Sequence, residues 1–184
     1  MKKLLVTLLA VIMAFAMCAC GETAEEEPSA GLANPVTECT AEEMLEATGF
    51  NLAAPENATD VRYFYISAEG LEPIAQVQFT VNDNEYCYRA QATAETEIMK
   101  SIDTATEAGN TLSGLNYEWK AGAMVDVSYC EGVCAFNEGS AGFVSWLDVV
   151  PGVLYSLGMN DHCTQDTLLD MAESIFVPLQ GDVG

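Results

Sequence analysis

The sequence predicts an α+β domain: one curved antiparallel sheet of about six to eight strands, with an N-terminal and a C-terminal helix packed on one face. Three observations carry that expectation. Alternating apolar and polar runs recur between short turns over residues 61–159. Well-signalled helices sit at the two ends of this region, after Thr40 and after Thr164. No strand–helix–strand alternation marks a parallel sheet.

In chain order, the first segment is a secretory signal. Lys2 and Lys3 give a basic start, and residues 4–17 (LLVTLLAVIMAFAM) form an apolar run too short to span a bilayer. Ala19-Cys20-Gly21 then resembles a lipobox, with a small residue directly before a cysteine. Residues 1–19 are therefore expected to be a lipoprotein signal peptide, with Cys20 the lipid-attachment residue. Cys18 is the weaker candidate, because Met17 before it is too large for the small position. Acyl chains on Cys20 would hold the protein at the outer face of the cytoplasmic membrane. Residues 20–35 read as a flexible acidic tether, carrying Glu25-Glu26-Glu27 and Pro28 and little to bury. A single domain is expected over 36–178, with 179–184 as a tail.

The domain opens with a short helix. Thr40 and Glu43 have capping-box spacing, Cys39 and Met44 occupy the staple positions, and Gly49 supplies a left-handed stop. Residues 61–66 (VRYFYI) are β-branched and aromatic, and 74–81 (IAQVQFTV) and 85–91 (EYCYRAQ) alternate. A hairpin turning at Asp83-Asn84 would pair Val81 with Tyr86, Phe79 with Tyr88 and Val77 with Ala90 on one apolar face. Residues 92–112 are polar and Thr-rich and predict a loop with at most a short helix. Further strand-like runs follow at 115–120, 124–130, 133–136, 141–147 and 153–159. Glu131-Gly132-Val133 reads as a turn. Thr164 caps the last helix, whose stripe is Leu168, Met171, Ala172 and Ile175, and Pro178 ends it.

Charge restricts the partners. The chain carries a formal charge of −22, and removal of Lys2 and Lys3 with the signal takes it to −24. Only Arg62, Arg89, Lys100 and Lys120 remain basic. Nucleic acid and an anionic bilayer surface are both excluded, since neither phosphate contacts nor counterion release is available.

Chemistry is sparse. His162 is the single histidine, and no nucleophile elbow, zinc-protease, phosphate-loop or dinucleotide motif occurs. Beyond Cys20 the cysteines are Cys39, Cys87, Cys130, Cys134 and Cys163. Cys130 and Cys134 are either a local disulfide across the Glu131-Gly132-Val133 turn or two small apolar strand residues. Cys130, Cys134, His162 and Cys163 have zinc-ligand chemistry, but C-x₃-C is looser than the usual pair and His162 and Cys163 are contiguous. Asn82-Asp83-Asn84 starts like a calcium loop but lacks its later Gly and Glu. No metal and no cofactor is expected. The aromatics Tyr63, Phe64, Tyr65, Tyr86, Tyr88, Tyr117, Trp119, Trp146 and Tyr155 are either core or a ligand-binding face.

Residues 75–89 (AQVQFTVNDNEYCYR), 142–157 (GFVSWLDVVPGVLYSL) and the helix after Thr164 together resemble a family of extracytoplasmic domains of Gram-positive bacteria. These domains occur in short lipoproteins and at the outer ends of anti-sigma-like membrane proteins. The resemblance implies the helix-then-sheet topology and carries no activity and no functional residues. The sequence thus supports a non-catalytic binding or protein-interaction module, tethered to the membrane by lipid. Its partner would be a protein, a glycan or a small apolar ligand. A carrier of an apolar ligand and an unrecognised hydrolase are the alternatives.

Overall fold

The computed structural model describes residues 35–115 and 117–177. The signal peptide, Cys20, the tether as far as Asn34, Pro178 and the tail 179–184 lie outside the described residues. One open antiparallel sheet of eight strands forms the body of the domain. In chain order the elements are β1 (Val36–Cys39), α1 (Ala41–Thr48), β2 (Thr59–Ile66), β3 (Ile74–Val81) and β4 (Asn84–Ala92). A 3₁₀ turn (Ile98–Lys100) and α2 (Ile102–Ser113) follow, then β5 (Ala121–Val127), β6 (Cys130–Phe136), β7 (Gly142–Asp148), β8 (Val153–Met159) and α3 (Gln165–Ile175). The strand order is β1-β2-β3-β4-β8-β7-β6-β5. Two four-stranded meanders thus meet at the antiparallel β4–β8 ladder, and α2 carries the chain from the middle of the sheet to its far edge.

Both terminal helices share one face, as the sequence predicts. Thr40 accepts from Glu43 N, and the Glu43 carboxylate returns to Thr40 N at 2.8 Å, completing the box. Gly49 closes α1 with φ 78°, and fully buried Met44 anchors the helix to the core beside half-buried Cys39. The Thr164 hydroxyl accepts from Thr167 N at 3.1 Å. Leu168, Ala172 and Ile175 bury the stripe of α3. Between and beneath these helices lie Val77, Phe79, Tyr86, Tyr88, Trp146 and Tyr155. Tyr88, Trp146 and Tyr155 stack with centroids 5.4–6.1 Å apart. Phe176 meets Trp146 and Tyr155 edge-on.

The opposite face has a helix that the sequence reading does not anticipate. Residues 102–113 form α2, capped by Ser101 and stopped by Gly114 at φ 70°. Its buried positions are Ala105, Gly109, Leu112 and Ser113, a face of small residues that carries little hydrophobic signal. The helix docks closely because it is small: a Cβ on Gly109 would lie 2.2 Å from the Phe143 ring. Arg89 then satisfies its C-terminus, donating to Leu112 O at 2.8 Å and to Gln76 at 2.7 Å.

Three further corrections concern registers and strands. The β3–β4 hairpin turns at Asn82-Asp83, both at positive φ, and Val81 pairs with Asn84. Phe79 therefore pairs with Tyr86 and Val77 with Tyr88. This is two residues from the expected register, so every side chain keeps its face. Residues 117–120 are not a strand: Asn137 ties this segment down through Glu118 O and Lys120 N, and Trp119 packs edge-on against Phe143. The eighth strand is β1 instead, which pairs with β2 at the sheet edge.

Candidate functional site

The Glu131-Gly132-Val133 stretch is strand, not turn. The reversal comes earlier, at Ser128-Tyr129, closed by the Val127–Cys130 pair. Ser128 takes φ 57° and its N–H donates to the Glu173 carboxylate of α3. Cys130 and Cys134 therefore sit four residues apart on the one strand β6. At ~3.3 Å per residue their Cα atoms stand roughly 13 Å apart, well beyond the ~7 Å that a disulfide tolerates. Both thiols are free and buried, and the local-bridge reading gives way to that of two small apolar strand residues.

The other candidate ligands are not brought together either. Cys163 is fully buried over Gly142, whereas the side chain of neighbouring His162 is exposed beside Asp161. Among the described residues no group of three or more His, Cys, Asp or Glu is placed to hold a metal ion. Burial first pushes the thiols of Cys130, Cys134 and Cys163 up to about 12. The Asp148 and Glu173 charges add to the effect at Cys130, and Cys163 adds to it at Cys134. Groups raised this way stabilise the fold fully below their ordinary value near 9.0, and that contribution is lost as pH rises toward 12. With N-ethylmaleimide at pH 8, half-buried Cys39 should label on the folded protein. The buried three should label only after denaturation; rapid modification of Cys130 in peptide maps of the native protein would contradict this placement.

Of the two readings of the aromatics, core holds for most of the strand rings. Tyr86, Tyr88, Trp146 and Tyr155 are at most 4% exposed. Phe64 points away from the face toward which Tyr63 packs, and lies buried under Arg62, 5.0 Å from its ring centroid. Arg62 in turn donates to both Glu38 oxygens, at 3.0 and 2.7 Å, so its own charge is matched. The broad groove beside α2 is similarly settled, with Trp119 Nε1 donating to Asn110 at 2.6 Å.

One end of the sheet is different. The Ser128-Tyr129 turn, the β7–β8 loop (149–152) and the segment after β4 enclose a cleft of about 340 Å³. The segment after β4 is held there by Thr93 N donating to Gly152 O at 2.8 Å. Gly152 has φ 67°, and a Cβ there would meet Thr93 O at 2.7 Å, so the closing loop requires glycine. The apolar part of its wall is Met99, Leu147, Val149, Val150 and Tyr129, beside Thr96, Cys130 and Glu131. Val149, Tyr129 and Val150 are 55%, 62% and 82% exposed, an apolar rim in loops where polar residues are the norm. At its floor lies Asp148, the last residue of β7, only 1% exposed. Tyr129 Oη donates to Asp148 Oδ2 at 3.3 Å. Desolvation, then the Asp148 charge, hold the Tyr129 phenol above its ordinary value, keeping that donor in place.

No family model matches the chain, and a search of curated proteins returns no match. The cleft must therefore be read from its own chemistry. Sequence reasoning misses Tyr129 and Asp148: one looks like the next apolar step after Val125 and Val127, the other like an ordinary strand-end polar residue. The available signal is Val149-Val150 directly before Pro151-Gly152, two β-branched residues inside a turn.

Proposed function

We propose that this chain is an exported lipoprotein, anchored through Cys20 at the outer face of the cytoplasmic membrane, whose domain is a non-catalytic binding module. The binding surface is the cleft at Tyr129 and Asp148. The observation that carries this reading is the coincidence there of exposed Val149 and Val150 with a buried carboxylate. Apolar contact area with one convergent polar group is the ordinary make-up of a recognition site. Export and anchoring rest on Lys2, Lys3, the apolar run and Ala19-Cys20-Gly21. No helix of the described residues is long and apolar enough to cross a membrane. The buried thiols, pushed up to about 12, and the exposed His162 beside Asp161 support the non-catalytic reading, since neither is an activated nucleophile.

The carrier alternative needs room inside the helix-covered face. The gap there between the α1 exit loop and the end of α3, above Tyr88 and Tyr155, holds about 50 Å³. That is space for a water or two, not for an acyl chain. Native mass spectrometry of the protein extracted from its own membranes tests the proposal. A mature chain starting at lipid-modified Cys20 is expected, and a further bound mass lost on replacing Val150 with Asp would identify the partner. A mature chain starting elsewhere removes the anchor, and a partner retained by Val150→Asp removes the cleft.

A further inference from the structure

We propose that the Asp148 cleft receives an alkylammonium group, a primary amine on a short apolar stem, with the Asp148 carboxylate as its counter-ion. The inference rests on the binding-module reading and names its ligand class. A carboxylate withdrawn from water is stable only with hydrogen bonds or an opposite charge. Asp148 is 1% exposed, and the hydrogen bond it accepts from Tyr129 is long for an O–H donor at 3.3 Å. No ion pair among the described residues includes it.

The basic side chains are committed elsewhere or absent from the cleft. Arg62 pairs with Glu38, Lys100 with Glu97, and Arg89 holds Gln76 and the end of α2. The only other ionisable groups on the cleft wall are Glu131, Tyr129 and the protonated Cys130 thiol. Glu173 lies close enough for its charge to act on Cys130. The field is negative, and the missing partner is a cation.

The walls define which cation. A metal ion would need several oxygen ligands, and no group of three candidate ligands exists among the described residues. A guanidinium favours two carboxylate oxygens in one plane, but Asp148 Oδ2 is already engaged by Tyr129. A compact ammonium needs only the remaining oxygen. Its methylene stem would lie along Met99, Leu147, Val149 and Val150, with the exposed Tyr129 ring at the mouth. Such a group belongs either to a free amine or to a lysine side chain of a partner protein.

Isothermal titration calorimetry on the complete mature chain in detergent separates these possibilities. The probes are n-butylammonium, Nα-acetyl-lysine N-methylamide, and the same lysine derivative acetylated on its side-chain nitrogen. At fixed ionic strength the charged probes should bind, and the acetylated one should bind at least about tenfold more weakly. Asp148→Asn should produce a loss of similar size, while the remote exposed Glu56→Gln should leave binding unchanged. Equal affinity for the two charged probes indicates free amines, and tighter binding of the lysine derivative indicates a protein side chain; both support the assignment. Equal binding of the charged and acetylated probes overturns the amine while sparing the binding module. Binding of the charged probes that survives Asp148→Asn also overturns it. If no probe binds, the amine assignment falls, and the binding-module reading then stands or falls on its own Val150→Asp test. Should Asp148→Asn fail to fold, the acetylated-probe comparison still decides.

Discussion

Replacing Trp146 with alanine should lower the unfolding free energy by ~4 kcal/mol, the cost usual for an aromatic removed from a close-packed core. Trp146 is fully buried on β7, stacked on Tyr88 and Tyr155 and met edge-on by Phe176. The ring therefore joins both meanders to the end of α3, and the hole would be walled by rings held from three sides. Phenylalanine at the same position should cost much less. The indole Nε1 is buried with no hydrogen-bond partner, and an orphaned donor costs roughly 1–3 kcal/mol in the wild type. Phenylalanine removes that donor while refilling most of the space. Urea titrations followed through the remaining Trp119 would measure both; equal losses for the two variants would refute the orphan-donor argument.

Gly109→Ala tests whether packing or helix propensity governs α2. Alanine in a helix interior is ordinarily favoured over glycine by ~1 kcal/mol. Here the new methyl would stand 2.2 Å from Phe143 Cε2 and 2.8 Å from Cζ. Phe143 is itself fully buried with Trp119 against it, so the ring has nowhere to move. Overpacking should win, for a net loss of about 2 kcal/mol. A double variant carrying Phe143→Leu should recover part of it, because the smaller side chain makes room. Thermal melts showing Gly109→Ala more stable than wild type would mean that α2 sits farther from the sheet than described.

This helix also shows where sequence reading stops. Terminal helices were legible because their stripes use Met44, Leu168 and Ile175, residues that stand out against polar neighbours. The face of α2 is Ala105, Gly109 and Ser113 with a single Leu112, and small residues signal contact only once the partner Phe143 is known. The alternation in β3 and β4 identifies the buried face correctly even though the expected turn lies one residue late, because that displacement shifts the pairing register by two and period two forgives an even slip. The alternation in β5 misled at its end. It continued into Tyr129 although the chain had already turned at Ser128. The cleft was invisible for a related reason: its parts come from a strand end, two turns and the segment after β4, and nothing local links Tyr129 to Asp148.

The β4–β8 seam has a consequence during export. The first meander is complete at Ala92, yet the strand that covers its inner edge begins only at Val153. Until the roughly sixty residues between them have followed it across the membrane, β4 has an unpaired backbone edge with Tyr86, Tyr88 and Ala90 on its apolar side. A chain stalled in that interval would be an open half-sheet whose free edge matches β4 of its neighbours as well as its own β8. The order of the strands thus makes the late arrival of β8 the step that ends the chain's exposure to self-association.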